Sequence, residues 1–154
     1  MRITILAVGK LPRGPEAELV QTYVQRAGAA GRTLGLAPVE VVEVESRKPG
    51  KAAEADTLRP HLADAHVIAC DERGAVLGSR ALAGEIARLR DAGARRAVFV
   101  IGGAGGLDPQ LVKSADATLA FGPQTWPHAL ARVMLAEQIY RATTILAGGP
   151  YHRD

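Results

Sequence analysis

Short apolar runs alternate with helical patterns along this chain, and the alternation limits the folds that it can adopt. Four runs are rich in β-branched residues and have the length of strands: Arg2–Gly9, Val39–Val44, Val67–Cys70 and Ala97–Ile101. Apolar strands linked through helices are typical of a parallel sheet with helices on both faces. We therefore predict an α/β fold of that kind, formed by one domain over residues 1–154.

Local signals indicate where the shorter helices begin and end. Ala52–Ala65 is Ala-rich, but Pro60 in its interior removes a hydrogen bond and should break or kink the helix. Ser79 is a candidate N-cap for the following helix, and Gly93 is a natural stop for it. The sequence therefore predicts an interrupted helix before the third strand and a continuous one after it.

The longest helical pattern, His128–Leu146, is apolar around most of its circumference. Glu137 and Arg141 form an i,i+4 pair on the remaining side. A helix this apolar is more buried than packing on one sheet face requires. Two interpretations stay open: a central core helix, or a helix shared between the core and a dimer interface.

The composition excludes several classes of protein. With 47% hydrophobic and 23% charged residues, the 154-residue chain has the composition of an ordinary globular protein. Cys70 is the single cysteine, so no internal disulfide can form, which fits a reducing compartment such as the cytoplasm. No apolar stretch approaches the roughly 18 residues of a membrane span. The four histidines match no metal-ligand spacing, so we expect neither membrane nor metal.

The charge balance gives a weak indication of the partner. The net charge is +3 and the sequence pI is near 9.4, and a basic surface attracts phosphate groups. The basic turn formed by Arg47, Lys48 and Lys51 is the candidate for contact with an RNA backbone. A solvated loop is an equally good interpretation of that turn.

Two glycine-containing bends follow apolar runs in the last third of the chain. The first is Gly102–Gly106 and the second is Gly122–Pro127, and in parallel sheets ligands lie beyond the carboxyl ends of strands. The first bend departs from a dinucleotide fingerprint, because Asp108 stands where the third glycine should be. It is predicted to be either a turn that needs positive φ or a loop whose backbone contacts a neutral or cationic ligand.

The last residues combine three functional groups. Tyr151 supplies an aromatic ring, His152 titrates near neutral pH, and Arg153 carries a guanidinium that suits phosphate. A solvated tail is the simpler interpretation, because chain ends fray unless they are held. A tail held near the two bends would instead indicate a role in substrate handling.

Several motifs together resemble one known family. They are the opening I-L-A-V-G-K, then F-V-I-G-G-A-G-G-L, then T-W-P-H-A-L-A-R-V-M-L-A-E-Q-I-Y-R-A, and finally P-Y-H-R. Each motif alone is weak, but their joint occurrence over nearly the whole chain resembles the RlmH family of ribosomal RNA methyltransferases. Four strands and a glycine bend alone would not have distinguished this family from other α/β proteins.

The resemblance implies a SPOUT-class fold with a C-terminal trefoil knot and a homodimer. It also implies an enzyme that uses S-adenosylmethionine to methylate N3 of a pseudouridine in large-subunit (23S) ribosomal RNA, within the ribosome or its large subunit. Two other interpretations stay open. The chain could be a non-catalytic RNA-binding or ribosome-associated module of the same fold, or a nucleotide-dependent enzyme with an unusual glycine loop.

The resemblance also implies the site residues. The methyl donor is expected to contact Cys70, Gly103, Gly122, Pro123, Gln124, Thr125, Trp126 and Pro127. Two departures affect packing around the donor: Cys70 replaces a larger aliphatic residue, and Gly122–Gln124 replaces a segment richer in serine and apolar residues. For catalysis we predict that His152 takes or relays the N3 proton, that Arg153 holds a phosphate or the base anion, and that Tyr151 stacks or anchors the tail.

Overall fold

The computed structural model describes residues 1–154. Its five strands are β1 (Arg2–Val8), β2 (Val39–Val44), β3 (His66–Cys70), β4 (Arg96–Ile101) and β5 (Ala117–Leu119). Its five α-helices are α1 (Pro15–Gly31), α2 (Lys51–Leu58), α3 (Ser79–Asp91), α4 (Pro109–Ser114) and α5 (His128–Leu146). Short 3-10 turns follow α1 and α2, at Arg32–Leu34 and Arg59–Leu62.

All five strands form one parallel sheet in the order β2-β1-β4-β3-β5. The central strand β1 pairs on both sides, so that Ile3 lies opposite Val39 in β2 and Ala97 in β4. The predicted parallel sheet is confirmed. Because the strands are parallel, the loops that follow them all leave from the same edge, which we call the carboxyl edge.

Helices cover both faces of the sheet, as predicted, and each face has its own core. Odd-numbered residues of β1, such as Ile3 and Ile5, belong to the larger core with apolar residues of α1, α3 and α5. Even-numbered ones, such as Leu6 and Val8, belong to the smaller core with residues of α2 and α4. Side chains of a strand alternate between faces, so a strand buried on both sides reads as a continuous apolar run.

The helix predicted over Ala52–Ala65 is shorter in the structure. It begins one residue earlier, at Lys51, and ends at Leu58, after which Arg59–Leu62 forms a 3-10 turn that contains Pro60. The proline ring and its missing N–H are tolerated at the start of that tighter turn but not inside an α-helix. The predicted break is confirmed, and the extension to Ala65 was wrong.

The predicted N-cap at Ser79 was also wrong. Gly78 occupies the N-cap position, and Ser79 is the first helical residue of α3, where its hydroxyl donates to Gln138 Oε1 at 2.8 Å. A tertiary contact with α5 therefore uses the side chain that the local pattern assigned to capping. The predicted stop is confirmed, because Gly93 follows the helix with φ +86°.

Helix α5 lies against both α1 and α3 on the larger core. Its residues Leu135, Ala136 and Ile139 are fully buried, which confirms the core position predicted for it. None of the helices combines the length and the hydropathy that crossing a bilayer requires.

Candidate functional site

A cavity of about 1100 Å³ opens at the carboxyl edge of the sheet. Three segments form most of its wall: the end of β3 with its following turn, the glycine loop Gly102–Gly106 after β4, and the proline loop Gly122–Pro127 after β5. We call it the main cavity. Seven of the eight residues predicted to bind the methyl donor line it, namely Cys70, Gly103, Gly122, Gln124, Thr125, Trp126 and Pro127.

The glycine loop is a tight turn that requires glycine at two positions, Gly102 and Gly106. A Cβ on Gly102 would lie 2.5 Å from the carbonyl carbon of Gly106, and Gly106 itself has φ +82°. The Gly106 N–H donates to Gly103 O at 3.0 Å, which closes the turn. The predicted positive φ is therefore confirmed at Gly106, and the loop brings bare backbone to the cavity wall.

Asp108, which replaces the third glycine of a dinucleotide fingerprint, caps helix α4. Its Oδ2 accepts from Gln110 N at 3.0 Å and from Leu111 N at 3.3 Å. Those N–H groups are the ones that a phosphate would need at a helix N-terminus. Asp108 therefore occupies the N–H groups that would bind the ligand phosphate in a dinucleotide-binding loop.

Cys70 is the last residue of β3, where the strand meets the main cavity. Burial raises the pKa of its thiol to about 12, because an apolar environment disfavours the thiolate. A thiol in this state is a small apolar wall residue and not a nucleophile.

The proline loop turns at Gly122, which has φ +95°. The Trp126 indole N–H donates to Phe121 O at 3.2 Å and fixes the ring across the loop, while 39% of the side chain remains exposed. Pro123 is exposed and does not line the main cavity, in contrast to its neighbours in the loop. Its contact with the methyl donor therefore stays a prediction without geometric support.

The main cavity also contains charged residues that the sequence analysis did not assign to it. Lys51, Arg73 and Lys113 line it, and so do the carboxylates of Asp71 and Glu72. Asp71, Glu72 and Arg73 directly follow β3, so their place at the carboxyl edge could have been read from the strand pattern. Lys51 begins α2 and Lys113 lies in α4, and only the tertiary structure brings them to the same cavity.

Arg132 is a further residue next to the site whose role the sequence did not indicate. Its side chain is 1% exposed, and Nη1 donates to Glu43 Oε2 at 2.6 Å while Nη2 donates to Gly9 O at 3.0 Å. Glu43 Oε2 also accepts from Leu11 N at 2.8 Å. Arg132 thus ties the first turns of α5, which line the main cavity through His128, to the ends of β1 and β2.

The tail, Pro150–Asp154, is held against the rest of the chain. The Tyr151 hydroxyl donates to Glu137 Oε1 at 2.9 Å, and the Arg141 guanidinium stacks over the Tyr151 ring at 4.7 Å from its centroid. Arg141 Nη2 also pairs with Glu137 Oε1 at 2.5 Å, which confirms the predicted i,i+4 pair. Burial and the bond to Glu137 raise the pKa of Tyr151, so the ring stays neutral.

His152 bridges two charged partners in the tail. Its Nδ1 lies 3.2 Å from Arg141 Nη1 and its Nε2 lies 3.2 Å from Asp154 Oδ1. A guanidinium can only donate, so Nδ1 accepts and the ring proton is on Nε2, which donates to Asp154. Arg80 holds the same carboxylate through two bonds of 2.7 and 2.8 Å and lowers the pKa of Asp154 to about 2.

The tail does not line the main cavity of its own chain. It lies beside an apolar groove of about 630 Å³, whose wall includes Glu137 and Arg141. Leu119, Ala120, Phe121 and Gly122 line both the groove and the main cavity, so one short segment separates them. The fraying expected of a free tail is not observed, and Tyr151 and His152 are partly buried.

No three His, Cys, Asp or Glu side chains lie together in a group that could bind a metal ion. His128 lines the main cavity as the first residue of α5, without a second histidine or a cysteine pair beside it.

The whole chain matches a known family. The model of a family described as "Predicted SPOUT methyltransferase" matches residues 1–152. A protein of Phenylobacterium zucineum named "Ribosomal RNA large subunit methyltransferase H" is 74% identical over 154 residues, which is 100% of both chains. A protein of Caulobacter vibrioides with the same name is 66% identical and covers 100% of this chain and 99% of its own.

Solved structures with a similar fold are more distant in sequence. A probable methyltransferase from Bordetella pertussis superposes with a TM-score of 0.54 at 21% identity, over 92% of this chain and 95% of the other. A probable methylase family protein from Haemophilus influenzae has a TM-score of 0.56 at 14% identity, over 99% and 70% of the two chains. These likenesses concern the fold alone.

Proposed function

The chain belongs to the SPOUT methyltransferase family, and we propose that it transfers a methyl group from S-adenosylmethionine to N3 of a pseudouridine in large-subunit (23S) ribosomal RNA. The relatives named as ribosomal RNA large subunit methyltransferases match the chain end to end, which supports ribosomal RNA as the substrate. A homodimer, a cytoplasmic location and the single domain over residues 1–154 belong to the same proposal, as does the trefoil knot.

One observation supports the enzyme most strongly. Seven of the eight residues that the motifs assign to the methyl donor come from three loops separated in sequence, and they line one cavity. The cavity has ten hydrophobic residues among its 25 lining residues and a wall of bare glycine backbone, both of which suit an adenosine and an aliphatic chain. A module that only bound RNA would have no need for such a cavity.

The residues of the main cavity fit S-adenosylmethionine in shape and chemistry. Gly103 presents no side chain, Cys70 is a neutral apolar group, and Trp126 is fixed across the proline loop. When bound there, S-adenosylmethionine supplies a methyl group already activated by its sulfonium. The protein's contribution is then to hold the donor and acceptor in line at about 3 to 3.5 Å and to exclude water.

The acceptor N3 carries a proton that must leave, and the tail supplies the candidate groups. His152 takes or relays that proton, Arg153 holds a phosphate or the base anion, and Tyr151 stacks or anchors the tail. Both ring nitrogens of His152 are engaged in the free chain. His152 therefore acts after the substrate has displaced Arg141 or Asp154 from one of its ring nitrogens.

In the homodimer, the tail of one protomer reaches the main cavity of its partner, because the tail does not line the main cavity of its own chain. The apolar groove beside the tail is lined by Leu19, Val76 and Leu77, whose side chains are 44%, 68% and 39% exposed. Clustered exposed apolar residues are typical of an interface with another protein. A second copy seated in this groove would place its own tail and α5 next to the segment that separates groove and main cavity.

The test of the function is transfer of labelled methyl from S-adenosylmethionine to purified ribosomes, to isolated large subunits and to free ribosomal RNA. We expect labelled large-subunit RNA and a modified pseudouridine at N3. Binding of S-adenosylmethionine, measured by calorimetry, separates the enzyme from a non-catalytic RNA-binding module, since only the enzyme requires it. RNA binding without donor binding would contradict the proposal.

His152→Ala tests the assignment of the proton acceptor. We expect donor binding to persist and turnover to fall by a factor of roughly 10² to 10⁴, the usual contribution of a general base. His61→Ala is the matched control, because His61 is exposed in the 3-10 turn at the opposite edge of the sheet. Near-normal turnover by the His152 variant would remove this residue from the mechanism.

A further inference from the structure

Three cations line the main cavity without a partner in the chain. Lys51, Arg73 and Lys113 are exposed, and none of them belongs to the ion pairs of the protein. Seven of the fifteen arginines and none of the four lysines have a carboxylate partner, so unpaired cations are common in this chain, and what distinguishes these three is that they line one cavity. Three free cations around one cavity indicate that the cavity receives more than one anionic group.

The methyl donor does not account for them. S-adenosylmethionine has two cationic groups, the sulfonium and the ammonium, and one carboxylate. Its two cations match Asp71 and Glu72, the two carboxylates that line the cavity, and its single carboxylate can occupy one of the three cations. At least two cations therefore remain for a second anionic ligand.

The size of the main cavity supports the same conclusion. At about 1100 Å³ it lies just above the range of roughly 300 to 1000 Å³ that is usual for one small ligand. An enzyme that modifies a base takes that base out of the stack and into its active site. The phosphates on either side of an extruded nucleotide then remain at the cavity mouth.

The geometry points to Lys51, Arg73 and Lys113 as the phosphate-binding rim of the main cavity, which holds the RNA backbone on either side of the nucleotide that enters it. This inference rests on the proposed function, because it takes RNA as the substrate. It extends the basic turn Arg47, Lys48 and Lys51 predicted from the sequence. Lys51 lies beside the glycine loop, where its Cε is 3.6 Å from a Cβ built on Gly105, while Arg73 follows β3 and Lys113 follows the glycine loop.

The test compares two triple variants of the full chain. One is Lys51→Gln/Arg73→Gln/Lys113→Gln. The other is Arg26→Gln/Arg32→Gln/Arg95→Gln, which removes three exposed, unpaired cations at or near the opposite edge of the sheet and changes the net charge equally. The probe is 23S ribosomal RNA transcribed in vitro, and its dissociation constant is measured over a series of salt concentrations.

We expect the rim variant to bind RNA more weakly and with a shallower salt dependence. Each lost phosphate contact on a single strand reduces the slope of log K against log salt by about 0.7, so three lost contacts reduce it by about 2. The opposite-edge variant should keep the wild-type slope. An unchanged slope in the rim variant, or an equal loss in both variants, would overturn the inference.

Donor binding provides the second readout. Calorimetry with S-adenosylmethionine should show at most the loss expected from one carboxylate contact in the rim variant, because the donor carries a single anionic group. If donor affinity falls while RNA binding and its salt slope stay at wild-type values, the cations serve the donor carboxylate and the inference is wrong. If the triple variant loses its folded circular dichroism spectrum, Lys51→Gln and Lys113→Gln are measured singly, each with an expected slope change of about 0.7.

The outcome is distinguishable from failure of the proposed function. Wild-type protein that binds 23S RNA through these cations but transfers no methyl group would contradict the enzyme and leave the rim intact. Wild-type protein that methylates RNA but already shows the shallow salt slope expected of the rim variant would support the enzyme and contradict the rim.

Discussion

At the scale of single residues, the site depends on groups whose state is set by burial. Cys70 stays a neutral thiol at the end of β3, and the Arg132 guanidinium is 1% exposed, with its two terminal nitrogens bonded to Glu43 and to Gly9 O. In both cases the residue type alone says little. Cysteine serves equally as nucleophile or wall residue, and arginine in a helix is usually a surface residue.

The Cys70 thiol is expected to be inert toward alkylating reagents. Burial raises its pKa to about 12, far above the roughly 8.5 of an unperturbed thiol, so near pH 8 the thiolate is at least about a thousandfold scarcer. The rate of reaction with iodoacetamide, followed by mass spectrometry, should therefore be slower than in the denatured chain by a comparable factor. Equal rates in the native and denatured chains would show that the thiol is accessible and ionised.

Replacement of Arg132 by Met should destabilise the protein substantially. The change leaves the carbonyl of Gly9 without its donor and the Glu43 carboxylate without its ion pair. Breaking a buried pair costs about 3 to 5 kcal/mol, and about 3 is expected because Glu43 is 32% exposed.

Arg88→Met is the matched control for Arg132→Met. Arg88 pairs with Glu85 on the surface of α3, and loss of an exposed pair costs less than about 1 kcal/mol. Urea denaturation measures both free energies of unfolding. Similar values for the two variants would mean that the Arg132 contacts do not hold α5 to the strand ends.

At the scale of secondary-structure elements, the loops after the strands carry the site while the helices hold them. The glycine loop is fixed by its own tight turn, and the proline loop by Trp126. The tail is held by Glu137 and Arg141 of α5 and by Arg80 of α3. Side chains on rigid helices thus position segments that have no regular structure themselves.

Gly102→Ala should disrupt the glycine loop. The added Cβ would lie 2.5 Å from Gly106 C and 2.6 Å from its oxygen, both backbone atoms, so the turn must open. Overpacking of this kind costs about 1 to 3 kcal/mol, and donor affinity should fall with it.

Gly105→Ala is the control in the same loop. A Cβ there would meet only Lys51 Cε at 3.6 Å, an ordinary contact with a flexible side chain. Thermal unfolding should therefore separate the Gly102 variant from a nearly wild-type Gly105 variant. Equal midpoints would show that the loop tolerates a side chain at its closest approach.

At the scale of the whole molecule, one chain contains a cavity and a tail that do not meet. The segment Leu119–Gly122 lies between them, with the main cavity on one side and the apolar groove on the other. A second copy in the groove would join the two parts of the site. Methyl transfer would then require the dimer, because the same interface would join the two protomers and complete the site.

Val76→Asp tests this arrangement. Val76 is 68% exposed and lines the groove, so the charge should leave the fold intact and prevent a second copy from packing there. Sedimentation analysis should show a dimer for the wild type and a monomer for the variant, with methyl transfer lost in parallel. Ala92→Asp, at an exposed position after α3 on the opposite edge of the sheet, is the control. A dimeric Val76→Asp variant would place the interface elsewhere.

The sequence by itself determined most of the secondary structure and the family. Local periodicity sets β2 at Val39–Val44 and α5 at His128–Leu146, as predicted, because both depend on contacts within a few residues along the chain. The break at Pro60 and the stop at Gly93 are equally local. The motifs indicated the two bends that line the main cavity, because their residue types are specific in combination.

Only the tertiary structure decided how distant parts meet. The strand order β2-β1-β4-β3-β5 follows from which edges pair, and Arg132 and Glu43 form an ion pair across 89 positions. The Ser79 hydroxyl contacts Gln138 instead of capping its helix, and the cations of the rim come from three separate elements. Such contacts depend on the energy of the whole packed chain, and no local pattern carries that information.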